Sequence, residues 1–332
     1  MSLKIIRPGL LTTLQDTGRY GYQKVGVITS GAMDVYSLRL ANILVGNDET
    51  EATLEITLTG PTIEFTSDTL IAITGGDFSP IIDGQKVPTL RPVAVKAGAI
   101  LKFSSCKVGC RAYLAVAGGY DVPKVMGSKS TYLRANIGGF NGRVLKKGDL
   151  LNTNEPSEYG QQMMINLLSR GAHSYAHAKW CISKVHTSEG NLRKPIRVMA
   201  GLQYDSFSEK AKYDFFATDY LITTQSDRMG YRLEGAKLET NGHLEMISEV
   251  ACSGTIQVPP NGLPIILMAD HQTTAGYPVI GQIALVDVAR IAQLKPGDSI
   301  NFKLISNEEG ERLFIAMEKC IENIKIAVAG KL

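Results

Sequence analysis

No apolar run in the chain approaches the roughly eighteen residues that a membrane span needs, and no block of one charge sign stands out. The 35 lysines and arginines face 32 aspartates and glutamates, for a net charge of +3. Neither nucleic acid nor a membrane surface is therefore motivated as a partner. Tryptophan occurs once, and the five cysteines are an odd number scattered from Cys106 to Cys320. They do not make a disulfide framework, which points to a cytoplasmic chain with reduced thiols. The opening MSLKIIRPGLL lacks the charged start, long apolar region and small-residue cleavage site of a signal peptide.

Motifs are missing too. There is no GxxxxGK[ST], GxSxG, HExxH or GxGxxG, so the usual support for P-loop, hydrolase-elbow, zincin and dinucleotide chemistry is gone. Gly127-Ser128-Lys129-Ser130-Thr131 resembles the end of a P-loop, but Val122 stands where its leading glycine belongs. His173 and His177 are four apart, as are Cys106 and Cys110, yet the pairs are distant in sequence and lack the tight spacing or nearby carboxylate of a zinc site. No metal is expected.

What is present reads as mainly β with a few helices. With 332 residues the length favours two domains, each able to bury a core. Short β-type runs at Lys4–Arg7, Thr53–Leu58, Thr62–Phe65, Leu70–Thr74, Val93–Lys96 and Ile100–Phe103 are separated by turn residues. Such a pattern suggests a barrel or sandwich. One helix interrupts it, with Asp34 as N-cap, Val35, Leu38, Ala41 and Val45 on one face, and Gly46 as the stop. A β-rich domain over 1–155, a junction over 156–194, a second β-rich domain over 195–306 and a C-terminal helix over 307–332 are expected.

Within the second half, Ile196–Met199, Tyr220–Thr224, Leu244–Ile247, Thr255–Val258 and Ser299–Leu304 read as strands. Ser206 and Glu209 read as a capping box, Asp287 as the cap of a helix carrying Val288, Ile291 and Leu294, and Leu313, Met317, Cys320, Ile321 and Ile324 as the stripe of a last helix. Two echoes link the halves. Asp16-Thr17-Gly18-Arg19-Tyr20-Gly21-Tyr22 resembles Ser226-Asp227-Arg228-Met229-Gly230-Tyr231, and Lys147-Gly148-Asp149 resembles Pro296-Gly297-Asp298. Two related β-rich lobes would place a site between them.

The richest stretch is Val258–Gln282, VPPNGLPIILMADHQTTAGYPVIGQ. A proline-glycine turn feeds the apolar run Pro264–Ala269, a buried strand that stops in Asp270, His271, Gln272, Thr273 and Thr274. Asp270-His271 can move protons or hold an amide at a strand end; the same pair can equally be a turn that closes the strand. Arg134 and Arg143 flank a glycine turn, and Arg228 and Arg232 bracket Met229-Gly230-Tyr231. Each pair can present planar forks to an anion, with amides at Gly138, Gly139 and Gly142 adding a nest; a solvated salt bridge is the ordinary fate of any one of them.

SGAMD (Ser30–Asp34), LEITLTGPTIEF (Leu54–Phe65), the glycine-rich run Gly118–Asp149, SDRMGYRLEG (Ser226–Gly235) and PPNGLPIILMADHQTTAGYP (Pro259–Pro278) together resemble the biotin-dependent carboxyltransferase family. That family includes the C subunit of bacterial 5-oxoprolinase, KipA-like antagonists of the kinase inhibitor KipI, and the carboxyltransferase region of urea amidolyase. The resemblance implies two β-rich lobes with cyclophilin-like β-barrel architecture and a separate, KipI-like partner subunit. A chain of this length, without a carboxylase extension or a biotinylation motif, resembles the member that works with that partner and a third subunit in ATP-dependent opening of 5-oxoproline to glutamate. Biotin enters only under the alternative of carboxyl transfer to an amide acceptor; a further alternative is a non-catalytic KipA-like antagonist. The implied catalytic residues are Asp270, His271, Thr274 and Arg134. The implied substrate and phosphate contacts are Ser130, Thr131, Gly138, Gly139, Arg143, Arg228, Gln272, Thr273 and Tyr277. Ala275 and Leu263 stand where the family pattern has glycine and glutamine.

Overall fold

A computed structural model of the chain describes residues 2–171, 173–183, 194–242, 244 and 246–331. It divides into two compact units, one comprising Met1–Arg19, Asp34–Gly190 and Cys320–Leu332, the other Tyr20–Met33 and Asn191–Lys319. Among the described residues there are five α-helices, and none is long and apolar enough to cross a membrane.

The first unit contains two six-stranded antiparallel sheets. One runs Leu150–Asn152, Ser2–Arg7, Thr62–Phe65, Ile100–Lys102, Ile81–Ile82, Gln85–Lys86; the other runs Tyr175–His177, Val93–Val95, Thr69–Asp77, Val108–Val116, Thr53–Thr57, Leu11–Gln15. Leu3, Ile5, Ile63, Phe65 and Leu101 of the first sheet share one core with Leu54, Ile56, Ile71, Ile73, Leu114 and Val116 of the second. Each such side chain, removed from water, contributes about 1.5–3 kcal/mol before entropy is counted.

Helix α1 (Val35–Val45) lies on the second sheet, against Thr69–Asp77 and Val108–Val116. Its start is set by Asp34, whose carboxylate accepts from Ser37 N at 2.9 Å and Ser37 Oγ at 2.7 Å. Its end is set by Gly46 at φ +75°, where a Cβ would also strike the Tyr159 ring. Residues 156–183 belong to the same unit and carry α2 (Glu158–Leu168), capped by Ser157, and the edge strand Tyr175–His177.

The second unit is built on an eight-stranded sheet that curls into a nearly closed barrel. Its order is Ser299–Ile300, Tyr220–Ile222, Gly230–Glu234, Ile265–Leu267, Thr255–Gln257, Val279–Ile283, Ile196–Ala200, Phe302–Leu304. The first and last strands are one piece of chain broken only at Asn301. Ser299–Ile300 pairs antiparallel with Tyr220–Leu221, and Phe302–Leu304 pairs parallel with Ile196–Val198. One segment thus occupies both edges of the sheet and removes them as exposed templates. Inside, Phe215 stacks on Phe302 at 4.6 Å between ring centroids, with Tyr220 beside both.

Several expectations need correction. Helix α3 (Glu209–Ala217) is capped by Ser208, which accepts from Ala211 N, while Ser206 closes a preceding 3-10 turn. Asp287 does not cap α4 (Leu285–Ala292); Ala284 holds that position, and Asp287 is fully buried in the first turn as an ion-pair partner of Arg197 and Arg290. At Leu244–Ile247, Leu244, Met246 and Ile247 form no strand and Glu245 lies outside the described residues. Ile247 is 86% exposed, so no core rewards an extended pairing there. On α5 (Asn307–Ala329) the expected stripe is half-buried to buried, centred on Ile321, while Phe314 and Ile315 are exposed. The Lys-x-Gly-Asp turns close alike: Asp149 accepts from Lys146 N at 2.7 Å and Asp298 from Lys295 N at 2.9 Å.

Candidate functional site

In the barrel, strands Gly230–Glu234 and Ile265–Leu267 are antiparallel neighbours with Gly230 opposite Leu267. That register necessarily brings the residues before Gly230 alongside those after Leu267. Met268 N donates to Met229 O at 3.0 Å and Asp270 N to Arg228 O at 2.8 Å, so the two motifs are zipped together by backbone. The Asp270 carboxylate then takes Arg228 Nε at 2.9 Å and Nη2 at 3.0 Å, a two-pronged pair. Arg228 Nη2 also reaches Gly31 O, and Ser30 Oγ donates to Asp270 Oδ1 at 2.8 Å.

Arg228 and Asp270 are each 7% exposed. A buried pair of this kind is costly to break because either charge left alone is stranded in a poor solvent. Ser30 sits at φ +55°, a conformation that costs a non-glycine residue on the order of 1 kcal/mol and is held here by its bond to Asp270. Ser30 lies 240 residues from Asp270, and the sequence marked it only as the first residue of SGAMD.

His271 follows in the same turn, its N–H bonded to Met268 O at 3.0 Å. Its Nδ1 lies 2.6 Å from Gln272 O. A carbonyl can only accept, so Nδ1 carries the proton and Nε2 is left as the acceptor. Burial pushes the imidazole pKa below its ordinary 6.5, against smaller opposing effects of that carbonyl and of Asp270. The ring is thus neutral at pH 7, in one tautomer, and Nε2 makes no hydrogen bond among the described residues.

Around it Gln272, Thr274 and Tyr277 are exposed and Thr273 half-buried. Thr273 O accepts from Ala251 N at 3.1 Å, and Thr274–Ala275 pairs with Glu249–Val250. Asp270 thus closes the strand end structurally, while His271 stands beside exposed polar groups with an open acceptor.

The residues expected to hold phosphate belong to the first unit, and its geometry uses most of them internally. Asp16 Oδ1 accepts from Ser130 Oγ at 2.5 Å, Ser128 Oγ at 2.7 Å and Gly18 N at 2.8 Å, while Oδ2 accepts from Lys129 N at 2.6 Å. Thr131, fully buried, donates both its N–H and its hydroxyl to Leu14 O. Lys129 Nζ is bound to Glu51 and Tyr120 O. Gly139 N donates to Lys129 O and Gly142 N to Gly138 O, so two amides of the expected nest are spent on the loop itself.

Gly138 is required at that crossing: a Cβ there would lie 2.0 Å from Ser130 O. Arg143 grips Asp149 with Nη1 at 2.7 Å and Nη2 at 2.9 Å and lies over the Phe140 ring. Arg134 is exposed. Asp16 and Arg19 organise this region, yet sequence reading assigned them no role. Arg19, fully buried, binds Val125 O and Ser130 O at 2.9 Å each. The signal was the echo between the halves: it aligns Arg19 with Arg228, and both arginines anchor their surroundings from the interior.

The family profile "Carboxyltransferase domain, subdomain A and B" matches residues 25–304. The chain is 36% identical over 319 residues to the C subunit of 5-oxoprolinase from Haemophilus influenzae, covering 96% of each chain. It is 41% identical over 307 residues to the Escherichia coli protein of the same name, covering 92% of each. Among solved structures it resembles the Kluyveromyces lactis urea amidolyase with a TM-score of 0.85 and 33% identity, covering 97% of this chain and 20% of that one.

Proposed function

The chain belongs to the carboxyltransferase domain family, subdomains A and B, and from that premise we propose that it is a subunit of a cytoplasmic, ATP-dependent 5-oxoprolinase that opens 5-oxo-L-proline to L-glutamate. The observation that carries this reading is the match, nearly end to end in both chains, with two proteins named as the C subunit of 5-oxoprolinase. The partners are a KipI-like subunit and a third subunit, and ATP, bound within that complex, supplies the driving force.

Opening the lactam adds water across a resonance-stabilised C–N bond, with hydroxyl going to carbon and a proton to nitrogen. The neutral His271 ring, its tautomer fixed by Gln272 O, suits that traffic: Nε2 takes the proton from water and returns it to the leaving nitrogen. Asp270 is a positioning residue, because its oxygens already hold Arg228 and Ser30. Gln272, Thr274 and Tyr277 hydrogen-bond the substrate from the exposed rim. The internal bonding of Ser130, Thr131, Gly139 and Arg143 favours structural roles for them over phosphate contact.

Reconstitution with both partner subunits should form glutamate from 5-oxoproline only when ATP is present. A complex that assembles fully yet makes no glutamate would overturn the reading. The resemblance to urea amidolyase favours a second one, carboxyl transfer from carboxybiotin to an amide. Biotin would arrive on a separate carrier, its ureido group meeting the same His271 and Gln272. Decarboxylation of added N-carboxybiotin by the assembled complex, without glutamate formation, would select it.

A further inference from the structure

A second polar centre lies in the barrel unit, formed by residues outside the His271 set. A cavity of about 280 Å³ is lined by Lys194, Pro195, Arg197, Arg290 and Lys303. Its two arginines share one carboxylate, that of Asp287, which is fully buried. Arg197 donates to Asp287 through its backbone N–H and Nε, both at 2.8 Å, and through Nη2 at 2.6 Å. Arg290, one turn further along α4, lies 2.9 Å from the same carboxylate and also binds Lys194 O and Pro195 O. One carboxylate thus fixes two guanidinium groups in place, which is preorganisation of the kind that binding sites need.

The charge does not balance. Lys303 is the direct register partner of Arg197 across the parallel pair Ile196–Ala200 and Phe302–Leu304, so two like charges stand side by side on one face. Such neighbours repel and destabilise a sheet unless something offsets them. Neither Lys194 nor Lys303 has an ion pair among the described residues, and Arg197 Nη1 makes no hydrogen bond among them. Glu309 is near enough to favour the charged form of Arg197. Counting it, four cations face two carboxylates among the described residues, an excess of two positive charges.

We propose that this cavity binds a phosphate dianion, either inorganic phosphate or the terminal group of a phosphate monoester. The charge matches the excess, Arg197 Nη1 and the ammonium groups of Lys194 and Lys303 supply the donors, and the volume admits a phosphate with part of an ester substituent. The site stands apart from the lactam chemistry, so neither proposal depends on the other.

The test is titration calorimetry of the purified chain at fixed ionic strength in chloride, with inorganic phosphate and AMP as separate probes. Saturable binding of phosphate at about ten millimolar or below is expected. Lys303→Gln and Lys194→Gln should each weaken it about fivefold, the loss of one charge-assisted contact, while Lys107→Gln, at an exposed lysine of the other unit, leaves it unchanged. Tighter binding of AMP than of phosphate identifies a monoester as the ligand; equal or weaker binding identifies the free anion. If neither probe saturates, or if the double lysine variant binds as the parent does, the proposal fails. Both variants remove exposed side chains without ion pairs, so folding is preserved and can be checked by their melting curves.

Discussion

Asp16 and Asp270 are both carboxylates 7% exposed, and both sit where the sequence is dense in polar residues. Their surroundings differ in kind. Asp16 is met by two hydroxyls and two backbone N–H groups, all from its own turn and the Ser128–Ser130 loop. Those donors are neutral, and the knot is closed. Asp270 is met by a guanidinium and by a serine from the far end of the chain, and the residue after it is a histidine with an unused acceptor. A closed knot fixes a fold; a charged clamp beside an open acceptor is what the proposed site rests on.

The largest effect should come from untying the knot. Asp16→Ala leaves three buried donors and the half-buried Gly18 amide without an acceptor and should cost on the order of 4 kcal/mol of stability, read from denaturant midpoints. Turnover per folded complex should stay near that of the parent. A loss of turnover at unchanged stability would reverse the contrast drawn between the two carboxylates.

His271→Gln should do the opposite. Turnover in the assembled complex is expected to fall about a hundredfold, with stability changed by less than about 1 kcal/mol. The parent should also lose activity on the acid side, at pH below the 6.5 of a free imidazole, because protonated Nε2 cannot accept. The glutamine variant should lack that limb. Stability follows the same sign: the unfolded chain takes up this proton at higher pH than the folded one, so the contribution is whole above 6.5 and declines as pH falls through the lower folded value. An unchanged acid limb in the variant would move the titrating group elsewhere.

Arg134→Gln should have the smallest effect. The side chain is exposed, and a change of less than about twofold in turnover is expected. A loss comparable to that at His271 would restore the glycine-rich loop to the reaction.

Much of the fold was legible because it is written locally. The α1 boundaries follow from Asp34 and Gly46, each acting within one turn of itself, and the short strands follow from alternation broken by Gly and Pro. The errors arose where partners are distant. Asp287 reads as a cap because caps are often Asp, yet its partner Arg197 lies 90 residues away on a strand. Ser206 and Ser208 are two residues apart, and only backbone geometry decides which turns into the helix. In the site, Asp270 and His271 were visible at a strand end, whereas Ser30 and the division of labour between aspartate and histidine depend on a contact across 240 residues. Gly138 and Gly139 were visible as ordered glycines, but the close passage of Ser130 and Thr131 that requires them lies several residues away in the chain and shows only in the structure.

The segment from Ser299 to Leu304, which supplies both edges of the eight-stranded sheet, also governs how the barrel unit can be made. During synthesis the Ile196–Ala200 strand leaves the ribosome about a hundred residues before its partner, a wait of roughly 5–20 seconds at ordinary elongation rates. Through that interval its outer edge is an unpaired template for any other strand in reach. Ring closure is therefore the last step and a long-range one, so the unit should fold slowly for its size. A chain cut short before Asn301 would keep nearly all of the core residues and still present two sticky edges, which makes aggregation, not mere loss of activity, the expected fate of such truncations.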